Sequence, residues 1–395
     1  MTIAPLVPLL LLLVCSNFWA LGEAKGLPPL ENVAKFNEDD YQLEMVQVLF
    51  RHGARTAIGC EAILIPNNSE AYYQPWGYSQ LTNVGMKQEY RIGQMLRRRY
   101  DDFLGDQYRP RDVYAYSSDY SRTKASLELA LAALYPPKGE QIWNPDLDWM
   151  PIAVNSNPRQ LDILMKPRFC PKFIATLQQL YNTTEVRRTL AEFADVIDLM
   201  KSRYENFTFM NIICAYNFLL IQKDLQLALP DWYTDEIYEK IQRANEFYLA
   251  TLSWTRELKR LNGGTLVRQF LENMRLARRK LYMYASHDKN LHAVVAAHNL
   301  TLGQYPDYGS AVIMEKLKDG ENNRYVRLLL WIGEPKKLMH LEMPGCAEIC
   351  PLSRYEELLA PIVPTDEDMR CLFQGLEPKD LERIFDTDSV EPGSA

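Results

Sequence analysis

The chain lacks any excess of basic residues: 51 Asp and Glu against 44 Lys and Arg over 395 residues leave a formal net charge of −7. That balance leaves no electrostatic footprint for nucleic acid or an anionic membrane as partner, although a few clustered arginines can still hold a small anion. Histidine is scarce, with five in the whole chain, and no histidine–carboxylate cluster has a convincing metal-ligand spacing. His340, Cys346 and Cys350 lie close together, but no second ligand pair at zinc-finger spacing accompanies them. Internal repeats and low-complexity tracts are absent. No apolar stretch of membrane-spanning length follows the short N-terminal run from Leu6 to Val14. The tail from Phe385 to Ala395 is acidic and polar and carries no lipid-anchor signal.

What is present is ordinary globular composition, 47% hydrophobic, 24% charged and 11% aromatic, enough for a large core. Leu6 to Val14 form a short apolar run, and Gly22 and Ala24 supply small residues at a cleavage point. Residues 1–24 are therefore expected to be a signal peptide, with a secreted mature chain beginning near Lys25. Cys15 would leave with it. Cys60, Cys170, Cys214, Cys346, Cys350 and Cys371 remain, an even number that suggests disulfides in an oxidising compartment. There a local bridge between Cys346 and Cys350 is a better reading than zinc. Sequons at Asn67, Asn182, Asn206 and Asn299 fit a glycosylated secretory protein.

Three segments read as strand, polar loop, helix. The run from Leu43 to Phe50 begins alternating and ends wholly apolar, as a buried strand does, and runs into Arg51-His52-Gly53-Ala54-Arg55. A helix is expected from Asn83 to Tyr100, ending in Arg97-Arg98-Arg99, where positive charge complements a helix C-terminus. A second strand, Asp112 to Tyr116, leads through Ser117-Ser118-Asp119 into a helix from Tyr120 to Leu134, with Ser118 or Asp119 as candidate cap. A third, Lys280 to Ala285, leads through Ser286-His287-Asp288 into a helix from Lys289 to His298. Such alternation predicts an α/β fold: a mixed, mostly parallel sheet with helices on both faces. Ligands on such sheets bind at the carboxyl ends of strands, where all three loops sit. Residues 151–261 read differently, as helices over Ile174–Tyr181, Thr189–Tyr204 and Thr234–Arg260, with Asn262-Gly263-Gly264 breaking the chain. This predicts an inserted helical domain over 151–261, placed as a lid, beside a catalytic α/β domain formed by 25–150 and 262–395.

The chemistry concentrates in the loops. Arg51 and Arg55 flank His52, a poor core and a good anion site, because guanidinium groups stay charged and grip phosphate oxygens in pairs. Gly53 would let backbone approach the ligand. The arginine field keeps His52 neutral, and a neutral imidazole nitrogen is a nucleophile. The alternative is a hydrogen-bonded core histidine beside surface arginines. Arg122 opens the second helix, where the dipole disfavours it. That misfit points to a bound anion, against the plainer reading of a solvated arginine. Asp288 could be held protonated by its surroundings and give a proton to a leaving alkoxide, or merely cap its helix, or both.

Taken together these motifs resemble the histidine acid phosphatase family, the branch of prostatic and lysosomal acid phosphatases, over nearly the whole mature chain. Arg51-His52-Gly53-Ala54-Arg55-Thr56 is similar to the family signature. Gln80 to Met86, Ser117 to Thr123, His287-Asp288, Tyr308 to Ala311, and Pro344-Gly345-Cys346 to Cys350-Pro351-Leu352 follow in the family's order. The resemblance implies that His52 becomes phosphohistidine, that Arg51, Arg55, Arg122 and His287 hold the phosphate, and that Asp288 protonates the leaving group. It implies phosphate monoesters, small or on phosphoproteins, as substrates, no metal or organic cofactor, and a homodimer. A soluble secreted form of the venom, salivary or reproductive-fluid kind is favoured. It also implies pairing of Cys346 with Cys350 and of Cys170 with Cys371. The third family bridge needs a cysteine near Ser310-Ala311-Val312, where none stands, which leaves Cys60–Cys214 without support from position. The chain departs from the family's usual Asp and Pro at Ala54 and Ala57, and Ala57 removes a rigid turn. A mutase, which generally lacks the His-Asp pair, and a catalytically silent binding protein on the same scaffold are the rival readings. The second would be expected to have lost one of the six site residues.

Overall fold

A computed structural model describes residues 33–36, 40–65, 70–332 and 337–373. The expected signal peptide, the Asn67 sequon and the acidic tail lie outside the described residues. The sheet-bearing part opens with β1 (Tyr41–Arg51), a single turn α1 (Gly59–Ala62), α2 (Asn83–Leu104), β2 (Val113–Ser117) and α3 (Ser121–Leu134). Six helices follow: α4 (Pro171–Tyr181), α5 (Thr184–Ala191), α6 (Ala194–Arg203), α7 (Ile212–Asp224), α8 (Asp235–Thr251) and α9 (Arg256–Leu261). Then come α10 (Gly263–Leu276), β3 (Leu281–Ser286), α11 (Asp288–Ala297), β4 (Ala311–Asp319), β5 (Arg324–Ile332), β6 (Lys337–Leu341), β7 (Ile349–Pro351), α12 (Leu352–Leu359) and the short α13 (Asp366–Met369).

The strands form one sheet in the order β2-β3-β1-β4-β5-β6, with β7 also pairing β5. Strand β3 runs parallel to both β1 and β2, so the loops after Arg51, Ser117 and Ser286 emerge side by side. The remaining pairs, β1–β4, β4–β5, β5–β6 and β5–β7, are antiparallel. The α/β class and the mixed sheet therefore hold, but the expected predominance of parallel pairs does not: it is confined to the half carrying the three loops. The physical reason is connection length. The turn between β4 and β5 is too short for the crossover that a parallel pair needs.

Strand pleat assigns the two faces. On β1, Val46, Val48 and Phe50 pack with Ile92, Met95 and Leu96 of α2 and with Leu127 and Leu131 of α3. Met45 and Leu49 pack on the opposite face with Leu266 and Phe270 of α10 and Leu291 and Val294 of α11, the alternation a pleated strand imposes. Gln47, fully buried among the latter, is satisfied by α10: its amide donates to the Phe270 carbonyl at 3.0 Å and it accepts from Asn273 at 2.7 Å. The helical region between α4 and α10 has its own apolar cluster, built from residues such as Phe173, Val186, Ile212, Phe218 and Ile241.

Three disulfides are present: Cys60–Cys214, Cys170–Cys371 and Cys346–Cys350. The first ties α1, just behind the arginine–histidine loop, to α7. Several local expectations need correction. The helix expected over 189–204 is divided where α5 ends at Ala191 and α6 begins at Ala194, and the one expected over 234–260 is divided at Thr255, which caps α9 by accepting from the Leu258 amide. Helix α2 runs past the triple arginine to Leu104, and Arg99 ion-pairs with buried Glu315 at 2.8 Å rather than complementing a helix end. The helical run breaks at Asn262, between α9 and α10, but Gly263 and Gly264 themselves open α10. A Cβ at Gly263 would lie 2.0 Å from the Ala293 carbonyl oxygen of α11, so these glycines serve close helix packing. Gly263→Ala must displace the helix that carries Asp288. A loss of about 1–3 kcal/mol, the usual cost of overpacking, is expected in a denaturant melt, and an unchanged midpoint would contradict the packing described.

Candidate active site

Each strand end delivers its polar residues into one pocket because β2, β3 and β1 are parallel neighbours. Arg51, the last residue of β1, is 1% exposed, and its Nη1 donates to the Pro306 carbonyl at 2.6 Å. Its guanidinium lies 4.0 Å from the Tyr308 ring centre and 3.6 Å from Asp288 Oδ2. His52 stacks edge-on to His287, ring centres 5.4 Å apart. Its Nδ1 lies 2.9 Å from the Gly53 carbonyl oxygen. A carbonyl only accepts, so Nδ1 carries the proton and Nε2 keeps its lone pair. Burial, then the charges of Arg122, Arg51 and Arg55, hold this imidazole well below the usual histidine range. His52 is therefore neutral, as expected from its neighbours.

Arg55 is gripped by a residue the sequence did not single out. Its Nη1 and Nη2 donate to the two carboxylate oxygens of Glu61 at 2.6 and 2.7 Å, and Glu61 is fully buried. Glu61 also accepts from the Ile58 amide at 2.9 Å, which folds the single turn α1 back onto the loop. Arg122, in the first turn of α3, donates to Ser79 Oγ at 2.7 Å. Burial and then Arg55 push its pKa down to about 9. The Nε atoms of Arg51, Arg55 and Arg122 are buried without a hydrogen-bond partner. Three orphaned donors and a cation with a depressed pKa mean surplus positive charge out of water, a state that an anion would relieve. This supports the anion reading of Arg122 over a solvated one, since it is only 5% exposed.

His287 forms the N-cap position of α11, and its Nε2 lies 3.0 Å from Ser118 Oγ. Burial, Lys166 and Arg122 hold it well below the usual histidine range. Asp288 opens α11. Its Oδ1 accepts from the Lys289 amide at 2.7 Å, and its Oδ2 accepts a very short hydrogen bond from Tyr305. Burial favours the neutral acid, but Arg51, Tyr305 and Lys289 outweigh it and hold the carboxyl at about 2. The expectation that its surroundings keep Asp288 protonated is thus corrected for the unliganded protein, in which it is a carboxylate. Capping of α3 is also revised: Tyr120 holds the N-cap position, while Asp119 pairs with Lys124.

Gly53 is also required for packing. A Cβ there would meet the Gly85 carbonyl oxygen at 2.4 Å, and one at Gly85 would meet the Ala54 oxygen at 2.0 Å. The two glycines press the loop against the start of α2. Ala57 is fully buried and its carbonyl accepts from the Ser79 amide at 2.9 Å, so backbone pairing holds the loop where a rigid turn is missing. Tyr305 was also missed. It reaches the site because β4 is antiparallel to β1, which brings the segment before Ala311 to the end of β1. Glu61 had one faint signal, an acid six residues after Arg55, and Tyr305 had none. Among the described residues, no group of three or more His, Cys, Asp or Glu could hold a metal ion.

Residues 42–331 match the model of the histidine phosphatase superfamily, branch 2. The chain is 34% identical over 347 residues to the venom acid phosphatase of Apis mellifera, covering 84% of this chain and 88% of that one. It is 33% identical over 362 residues to the prostatic acid phosphatase of Bos taurus, covering 87% and 90%. Among solved structures, Hafnia alvei phytase in complex with tartrate shares the fold with a TM-score of 0.63 at 16% identity, over 83% of this chain and 98% of that one. The chain belongs to the histidine phosphatase superfamily, branch 2, as a histidine acid phosphatase, a phosphoric monoester hydrolase.

Glu61→Gln tests the electrostatic account of this pocket. Removing one partner of a buried ion pair costs about 3–5 kcal/mol, and the variant should lose stability of that order in a melt without ligand. Inorganic phosphate should then restore more stability to the variant than it adds to the wild type. Equal stabilisation of both by phosphate would show that Arg55 does not face the anion.

Proposed function

We propose that the protein hydrolyses phosphate monoesters through a phosphohistidine on His52, with Asp288 as proton donor and Arg51, Arg55, Arg122 and His287 holding the phosphate, without metal or organic cofactor. The observation that carries this reading is the state of His52: a buried neutral imidazole with Nδ1 committed to the Gly53 carbonyl and Nε2 open, beside three buried arginines with unpaired Nε donors. In the first step Nε2 attacks phosphorus, the bond from phosphorus to the ester oxygen breaks, and the arginines neutralise charge on the equatorial oxygens. The departing alkoxide takes a proton from Asp288. In the second step water attacks the phosphohistidine, its proton passes to Asp288, and inorganic phosphate leaves with His52 regenerated.

Asp288 starts as a carboxylate, so its proton must arrive with the substrate. A phosphate monoester has a second pKa near 6, and in mildly acidic solution it enters as a monoanion carrying one proton. Bound phosphate offsets the Arg51 charge that depresses Asp288 and adds a like charge beside it, both of which raise the carboxyl's pKa. Transfer of the substrate's proton to Asp288 arms the acid. On this reading acidic pH loads the substrate, while His52 stays neutral because of burial and its arginines.

We further read the protein as secreted and glycosylated. The three disulfides and relatives named venom and prostatic acid phosphatases support this. Asn182, Asn206 and Asn299 are exposed and so accessible to a glycan.

Asp288→Asn separates acid catalysis from helix capping. General acid catalysis is typically worth about 10²–10⁴-fold, and the amide can still occupy the helix N-terminus but cannot supply the proton. The burst phase on an alkyl phosphate should fall by about that factor, and on a nitrophenyl phosphate, whose leaving group needs little protonation, by far less. A small and equal loss on both would remove Asp288 from the role of acid.

A further inference from the structure

One group of cations next to the pocket has no part in the mechanism above. Tyr120, at the start of α3, meets His287 edge-on with ring centres 5.2 Å apart, and Arg122 lies 4.5 Å from its ring centre. The same ring is flanked by Arg159 at 4.0 Å and by Lys166 Nζ at 4.4 Å. Tyr120 is therefore a wall shared by the phosphate site and a second basic cluster. The segment that carries Lys166 is tied to α11 two residues beyond Asp288, where Asn290 donates to the Met165 carbonyl at 3.1 Å. Arg168, in that segment, donates to Asn262 Oδ1 at 2.9 Å, and Lys289, on α11, donates to Tyr248 OH at 2.9 Å.

Among the described residues none of Lys166, Arg168 and Lys289 forms an ion pair, although Asp288 lies within electrostatic reach of Arg168 and Lys289, and Asp162 within reach of Lys166. Among the described residues Lys166 Nζ makes no hydrogen bond or ion pair, only its ring contacts with Tyr120 and Phe169, and the bonds of Arg168 and Lys289 go to neutral groups. Nearby acids are engaged elsewhere. Asp119 faces Lys124 and Arg159, and the buried Asp162 accepts from the Met165 amide at 3.0 Å. All three cations are half-buried, open enough for a ligand and dry enough for charge to count. Burial and the mutual repulsion of Arg168, Arg122, Lys289 and Arg159 hold Lys166 well below the usual lysine range, which an adjacent anion would reverse.

We propose that Lys166, Arg168 and Lys289 form a second anion subsite at the mouth of the phosphate pocket, so that esters whose leaving group bears a second phosphate are preferred substrates. This rests on the reading that the reacting phosphoryl group sits at His52. The subsite lies on the leaving-group side, beside Asp288, one aromatic ring away from Arg122. A flexible three-carbon spacer between two phosphates reaches across such a ring.

The test compares propane-1,3-diyl bisphosphate with propyl phosphate at low ionic strength. The wild type should show a kcat/KM roughly tenfold higher on the bisphosphate, the scale of a few partly exposed charge pairs, expressed in KM and shrinking as salt is added. Lys166→Met keeps the aliphatic stem over Tyr120 and should erase most of that preference, whereas Lys166→Arg should retain it. Equal kcat/KM on the two esters in the wild type, or an equal loss on both in Lys166→Met, would overturn the subsite while leaving the phosphatase reading in place. Turnover of neither ester by the wild type would instead overturn the reading of the His52 site and this inference with it.

Discussion

Arg51, Arg55 and Arg122 are each no more than 5% exposed, and among the described residues their ion pairs are with Glu61 and Asp288 alone. Burying three guanidinium groups against two carboxylates leaves positive charge without water or counter-ion to screen it. The remaining electrostatics follow. His52 and His287 cannot accept a further proton cheaply, Asp288 cannot readily hold one, and Arg122 is itself depressed to about 9. A phosphate entering this pocket offsets the charge part of those pressures, while burial persists. On the proposed mechanism the same anion that binds also releases Asp288 to act as an acid, so binding and chemistry would be coupled through one charge imbalance.

Such an arrangement stores unfavourable energy, and the surrounding fold must hold it. The parallel trio β2-β3-β1 fixes the three loops at one edge. Backbone contact between Gly53 and Gly85 locks the loop after β1 to α2, and contact between Gly263 and α11 fixes the helix that carries Asp288. The Cys60–Cys214 bridge tethers α1, and hence Glu61, to α7. The Tyr305 hydroxyl, which meets Asp288, lies 3.2 Å from Asn217 Oδ1 of α7. The helical region thus reaches the site through a bridge on one side and a tyrosine on the other.

Much of this was legible in the sequence because it is local. Strands β1, β2 and β3 lie within two residues of where apolar alternation puts them, and their ends, the loops after them and the first turns of the following helices carry all six residues singled out for the site. Neutrality of His52 followed from arginines one and three positions away. What was hidden is what depends on register. The pairing of β1 with β4 decides that Tyr305 reaches Asp288, and the contact of Arg51 with Asp288 crosses two strands, so the low pKa of Asp288 could not be read from Ser286-His287-Asp288. Helix α7 was missed because its apolar residues are buried on almost every side, which leaves no helical period to detect. Helix α10 was hidden by its opening glycines, which signal a loop in sequence and a close helix contact in space.

The central claim is that His52 is the group that takes the phosphoryl from the substrate. It is tested most directly by mixing the protein with a radiolabelled aryl phosphate, quenching in alkali within the first turnover and mapping the label to a peptide. The account predicts an alkali-stable, acid-labile phosphate on His52, one per chain at most, and none on His52→Ala that still binds inorganic phosphate. Label on a serine or an aspartate, or full burst turnover with no covalent label, would contradict it.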